Sequence, residues 1–140
     1  MDEPNKKDIE HLRQLSIFHF VGAGLSLAAL VFLGLHFTIM NAVFSNPDLF
    51  KGAQGGPPPA QFFAMLKIFY AVGATWFVIS GLINLMSAVY LRKRRNRTFS
   101  MVVAGFNCLY MPLGTVLGVF TFIVLGRDSV AALYEANKQP

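Results

Sequence analysis

The groups of this chain that could do chemistry are a few histidine, lysine and asparagine side chains set in otherwise apolar sequence. Three histidines, His11, His19 and His36, invite a metal or haem site. His19 and His36 stand 17 residues apart. On a helix that is about 25 Å, so one chain cannot bring both to one ion. No HxxxH or ExxH spacing occurs, and the single cysteine, Cys108, excludes an internal disulfide and a cysteine cluster. A lone histidine could hold haem with a partner from another chain; a hydrogen-bonded histidine near the membrane interface is the plainer reading. Lys67 is the one charge inside an apolar run, and an ionisable group at that depth is a functional candidate by default. It is also close enough to the outer end of its run to snorkel. His36 and Asn41 are its neighbours by depth. With Asn84 they form a candidate polar pathway. Asn84 and Asn107 sit at a depth that would let them hydrogen-bond between helices.

No carboxylate lies in any apolar run, and no nucleophile is paired with a base. There is no glycine-rich phosphate loop and no ligand set for a metal. The expectation is a non-enzyme without cofactor or metal.

The elements that must position these groups are membrane helices. The chain is 54% hydrophobic and 14% charged, too little polar surface to cover a soluble fold of this size. Three stretches, about 15–44, 61–91 and 98–126, each exceed the roughly 20 apolar residues that span a bilayer core. The expected fold is all-α, a single transmembrane domain over residues 1–140. It has three long segments, an outer loop over 45–60 and a short amphipathic helix near 129–137. The first helix is expected to begin near Asp8, with Asp8 or Asn5 as its cap and Ile9, Leu12, Leu15 and Phe18 on one stripe. The mixed charge of Met1 to Arg13 argues against a cleaved signal peptide, so the first span stays as an anchor.

Orientation is read from Arg92, Lys93, Arg94, Arg95 and Arg97, five of the twelve basic residues, with no acid between Asp48 and Asp128. Such a cluster stays cytoplasmic. It places the N-terminus inside and the loop over 45–60 outside, and it suits contact with anionic lipid. The absence of an aromatic-interleaved basic surface argues against nucleic acid. Pro57, Pro58 and Pro59 read as a rigid lead into the second helix, with Pro59 in its first turn.

Helix packing is expected at small residues spaced by four: Gly22 with Ser26, Gly24 with Ala28, and Gly114 with Gly118. Gly73 and Gly81 join Ser80, Asn84 and Ser87 on a face of the second helix. Trp76, at mid-span, is expected at a helix contact rather than against lipid. The third stretch has two readings, because Pro112 cannot donate to the Cys108 carbonyl. Either a kinked helix crosses once and leaves the C-terminus outside, or Met111-Pro112-Leu113-Gly114 turns and two short helices return it to the cytoplasm. The single kinked crossing is the preferred one, since each half is short for a span. Asp128 or Ser129 is expected to cap the last helix, which would present Val130, Leu133 and Tyr134 on one face.

The block from Gly105 to Thr121, containing Asn107-Cys108-Leu109, Pro112-Leu113-Gly114-Thr115 and Gly118, resembles the C-terminal block of a family of small bacterial polytopic membrane proteins of unknown function. His11-Leu12-Arg13, Ile17-Phe18-His19 and the position of the basic loop are similar as well. The resemblance implies a short inner-membrane protein and no assigned activity. The function expected from the residues is a non-catalytic accessory or scaffold subunit packing against other membrane helices, its own or those of a larger complex. The alternative is a homo-oligomeric channel or transporter lined by His36, Asn41, Lys67 and Asn84.

Overall fold

The computed structural model describes residues 6–51, 58–110 and 112–137. Asn5 and Pro57 therefore lie outside the described residues. Every regular element among them is helical: α1 (Lys6–Phe44), a short 3₁₀ turn (Pro47–Phe50), α2 (Ala60–Lys93), α3 (Arg97–Asn107), α4 (Leu113–Leu125) and α5 (Asp128–Ala136). At 39 and 34 residues, α1 and α2 are long and apolar enough to cross a membrane. They are about 58 and 51 Å long at 1.5 Å per residue. The chain divides into two compact units, Met1–Gly24 with Gly81–Pro140, and Leu25–Ser80.

In the first unit, α1 and α2 run antiparallel. The Ser16 hydroxyl donates to the Ala88 carbonyl at 2.8 Å, and His19 faces Asn84. The core gathers Leu12 and Leu15 of α1, Leu91 of α2, Val124 and Leu125 of α4, and Val130, Leu133 and Tyr134 of α5. The stripe expected on α1 holds at Leu12 and Leu15 but not at Phe18, which is 52% exposed. Its place on the buried face is taken by His19, because the core there is polar.

α2 ends in a Schellman turn. The Arg95 N–H bonds the Tyr90 carbonyl at 2.9 Å, the Arg94 N–H bonds Leu91, and Arg94 takes the left-handed conformation at φ 49°. Asn96, also left-handed at φ 51°, then starts α3. The basic loop is thus a tight corner.

The third apolar stretch is not one long segment. α3 and α4 fold back on each other, and the reason is local. A Cβ on Gly114 would collide with the Asn107 carbonyl oxygen, and one on Gly118 with the Ala104 carbonyl and, at 2.5 Å, with Cys108 Sγ. Residues fourteen positions apart touch in this way only if the chain reverses. The Arg97 guanidinium closes the hairpin by donating from Nε to the Leu125 carbonyl at 2.7 Å. At the turn, the Cys108 carbonyl that Pro112 cannot serve accepts the Thr115 hydroxyl at 2.9 Å. The single kinked helix is therefore replaced by a helical hairpin, and α1 and α2 are the two helices long and apolar enough to cross a membrane.

α5 leaves α4 at a 73° bend and lies on the core through Val130, Leu133 and Tyr134, the face expected from the sequence. Its start is not capped by Asp128 or Ser129: Arg127 holds the N-cap position with no side-chain bond to the helix. The Ser129 hydroxyl is used elsewhere, on Asp8 at 2.6 Å.

In the second unit, α1 and α2 again run antiparallel. The Ser26 hydroxyl donates to Ser80 at 3.4 Å, and His36 bonds the Tyr70 hydroxyl. α1 stops before Asn46-Pro47, where Asn46 is extended, as a residue before proline prefers, and its side chain accepts the Asp48 N–H at 3.1 Å. α2 starts at Ala60, with Pro59 just outside it and the Pro59 carbonyl accepting the Phe62 N–H at 2.9 Å.

Candidate functional sites

Two polar sites organise the first unit. The deeper one joins four helices. His19 of α1 is fully buried, with Nδ1 3.0 Å from Asn84 Oδ1 on α2 and Nε2 3.4 Å from Thr121 Oγ1 on α4. Asn84 and Asn107 exchange a reciprocal pair: Asn84 Nδ2 donates to Asn107 Oδ1 at 3.1 Å, and Asn107 Nδ2 to Asn84 Oδ1 at 2.9 Å. The Thr121 hydroxyl donates to the Leu117 carbonyl at 2.7 Å. Asn84 Oδ1 accepts from the Asn107 amide and, with the proton on Nδ1, from His19. Each helix of the four thus contributes one polar side chain, and the others answer it. Such a network fixes which helix faces meet, because any slip would leave a polar group unpaired in apolar surroundings.

The second site lies at the end of this unit that carries the basic loop. Asp8 is 2% exposed, and its carboxylate accepts Arg127 Nη1 at 3.0 Å as well as the Ser129 hydroxyl. Arg127 Nη1 also reaches His11 Nδ1 at 3.3 Å. Of these partners, the Ser129 hydrogen bond does most to hold the Asp8 carboxyl below its usual range; burial opposes it, and Arg127 adds to it. Close by in sequence to the hairpin's base, Asn137 Nδ2 donates to the Lys93 carbonyl at 3.1 Å. The start of α1, the basic corner and all of α5 are therefore tied together. A C-terminal helix on the far side from the basic loop, which the single kinked crossing required, does not fit these bonds.

The other residues named from the sequence fall as follows. Gly22 is half-buried beside Asn84, with room for a methyl group at 3.5 Å, while a methyl group on Gly24 would meet nothing within 4 Å and Gly24, like Ala28, is exposed. Ser26 is half-buried against Ser80. A methyl group on Gly73 would lie 3.4 Å from the Leu33 side chain, and Gly81 is half-buried. Gly114 and Gly118 face α3 within the same chain. Arg92, Lys93 and Arg95 are exposed; Arg94 and Arg97 are half-buried in the corner. Trp76 is 41% exposed, and the most buried face of α2 in this unit runs through Tyr70, Gly73, Phe77 and Ser80.

The four candidate pathway residues are divided between the two units. Asn84 belongs to the buried network of the first unit. In the second unit, His36 bonds Tyr70, which is also flanked by Phe37 at 5.1 Å between ring centres. Asn41 and Lys67 share a groove of about 200 Å³ that also involves Phe37, Phe44, Ser45 and Phe63. Among the described residues no group of three or more His, Cys, Asp or Glu could hold a metal ion.

The part of the site that sequence reasoning missed is His19 with Thr121 and Asp8 with Ser129. A polar residue at the buried position of an otherwise apolar stripe was the available signal in both cases. Compared with protein-family models, with curated proteins and with solved structures, the chain matches none.

Proposed function

We propose that this chain is a small polytopic membrane protein acting as a non-catalytic accessory or scaffold subunit. In this reading α1 and α2 cross the bilayer, and the α3–α4 hairpin enters from the side of the basic loop and returns to it. The positive-inside bias puts that side, with the start of α1 and with α5, in the cytoplasm of a bacterial cell. The resemblance noted for the Gly105–Thr121 block agrees with a bacterial inner membrane.

The observation that carries the reading is where the polar and apolar groups point. The deep polar side chains of the first unit bond each other, while long apolar faces stand outward: Leu27 is 63% exposed, Phe32 68%, Met65 72% and Phe69 72%. Exposed Gly24 and Ala28 give α1 a face that another helix could approach closely, and between helices in lipid such packing is the main source of attraction. The partners are other membrane helices, from further copies or from a larger complex, together with bilayer lipid and anionic headgroups at Arg92, Lys93 and Arg95.

Migration of the full chain in mild detergent tests this. The expected result is an assembly, of itself or with a foreign complex, that survives Lys67→Met. A lone monomer in every mild detergent contradicts it. Ion flux through reconstituted vesicles that is abolished by Lys67→Met would favour the channel reading, for which the Asn41–Lys67 groove is the one supporting feature.

A further inference from the structure

The unit Leu25–Ser80 contains three charged residues, Asp48, Lys51 and Lys67. Asp48 and Lys51 pair with each other on the surface after α1. Lys67 is left as an ammonium group with no carboxylate partner among the described residues. It stands seven residues into α2, about 10 Å along the axis from the start of that helix. Its groove of about 200 Å³ is walled on one side by Phe37, Phe44 and Phe63, with Phe44 and Phe63 packed at 5.2 Å between ring centres. Asn41 and Ser45 also line it, and their amide and hydroxyl are neutral groups able to donate hydrogen bonds.

A cation at the depth of the acyl–headgroup boundary calls for a counter-charge or for escape to water. The groove has donors and a positive charge and contains no carboxylate, so it selects an anion. Its volume admits a phosphate with part of its glycerol and no acyl chain. Met40 and Leu66 add apolar lining to the groove, which suits an anion that carries its own hydrocarbon. We propose that this groove binds the phosphate headgroup of an anionic phospholipid, with Lys67 Nζ as the charge partner and Asn41 and Ser45 as donors. The inference rests on the membrane-spanning reading above and is independent of the scaffold role.

The test uses the full chain with Arg92→Gln, Lys93→Gln and Arg95→Gln, which removes the exposed basic side chains of the corner. The protein is reconstituted with equal phosphatidylglycerol and phosphatidylcholine, returned to mild detergent, and its retained lipid is counted by native mass spectrometry. Phosphatidylglycerol is expected to be retained over phosphatidylcholine. Lys67→Met should lower that retention about five-fold, the attraction of one basic side chain, and Lys67→Arg should keep it. Ser45→Trp, which fills the groove and leaves the charge, should lower it as well. Equal retention of both lipids overturns the proposal. So does unchanged retention in Lys67→Met, which is the outcome if the ammonium escapes to water, or in Ser45→Trp, which is the outcome if charge alone attracts lipid. Competition by inorganic phosphate at equal strength would assign the groove to a soluble anion and overturn it too. A chain that does not partition into detergent at all would fail the membrane-spanning reading instead.

Discussion

The hydroxyl of Thr115 donates to the carbonyl of Cys108 at 2.9 Å, across the turn between α3 and α4. That carbonyl is the one a continuous helix would have bonded from residue 112, where proline has no N–H. The bond turns a helix break into a stable corner. Thr115→Val removes the donor and keeps the shape, leaving a carbonyl unpaired at a cost of about 1–3 kcal/mol. Thermal unfolding in detergent should show this loss, and Thr115→Ser should restore most of it.

The glycines separate into two kinds. Gly114→Ala and Gly118→Ala place a methyl group against backbone of α3, which has nowhere to go. Each should cost on the order of 1–3 kcal/mol, as overpacking does. Gly24→Ala meets open space and should leave the isolated chain unchanged, and Gly22→Ala should cost little. If Gly24→Ala weakened assembly while sparing the monomer's unfolding, that face would be an intersubunit contact.

The Asn84–Asn107 pair should be coupled. In membranes such side-chain bonds average about 0.6 kcal/mol and reach about 1.7. Asn84→Leu also deprives His19 of its acceptor, so it should destabilise more than Thr121→Val. In a double-mutant cycle, Asn84→Leu with Asn107→Leu should cost less than the sum of the two, because each single change strands the other amide. Strict additivity would mean the amides are not bonded to each other.

Asp8 gives the protein an acid-labile clasp. Its folded pKa lies below the ordinary value of 3.8, chiefly through the Ser129 hydroxyl and then Arg127. A depressed carboxylate contributes stability that is full above its unfolded pKa and is lost as pH falls through the folded one. The docking of α5 should therefore be independent of pH near neutrality and should weaken below about pH 4. Amide hydrogen exchange at Val130–Tyr134 reports it. Asp8→Asn should speed that exchange at neutral pH and remove the acid dependence.

Much of this architecture is legible in the residues, and the remainder fails for physical reasons. The lengths of α1 and α2 follow from uninterrupted apolar runs, and the face of α5 follows from Val130, Leu133 and Tyr134 at helical spacing. The α3–α4 stretch was undecidable by length and hydropathy, since a kinked span and a hairpin have the same composition. What decides is contact of Gly118 with Ala104 and Cys108, which periodicity does not report. A threonine three residues after Pro112 was the one local hint. His19 and Asp8 were opaque because their partners lie 65 to 121 positions away in the chain.

The central claim is that the chain returns to the side it started from, with Asp8, the basic corner and α5 at one end of the first unit. Single cysteines at Lys7, Arg95 and Ala136, each in a Cys108→Ala background, test it with a membrane-impermeant thiol reagent applied to intact cells and to inverted vesicles. All three should be labelled in inverted vesicles and protected in intact cells. Labelling of the residue-136 cysteine from outside, with the other two protected, would contradict the hairpin and restore a single crossing.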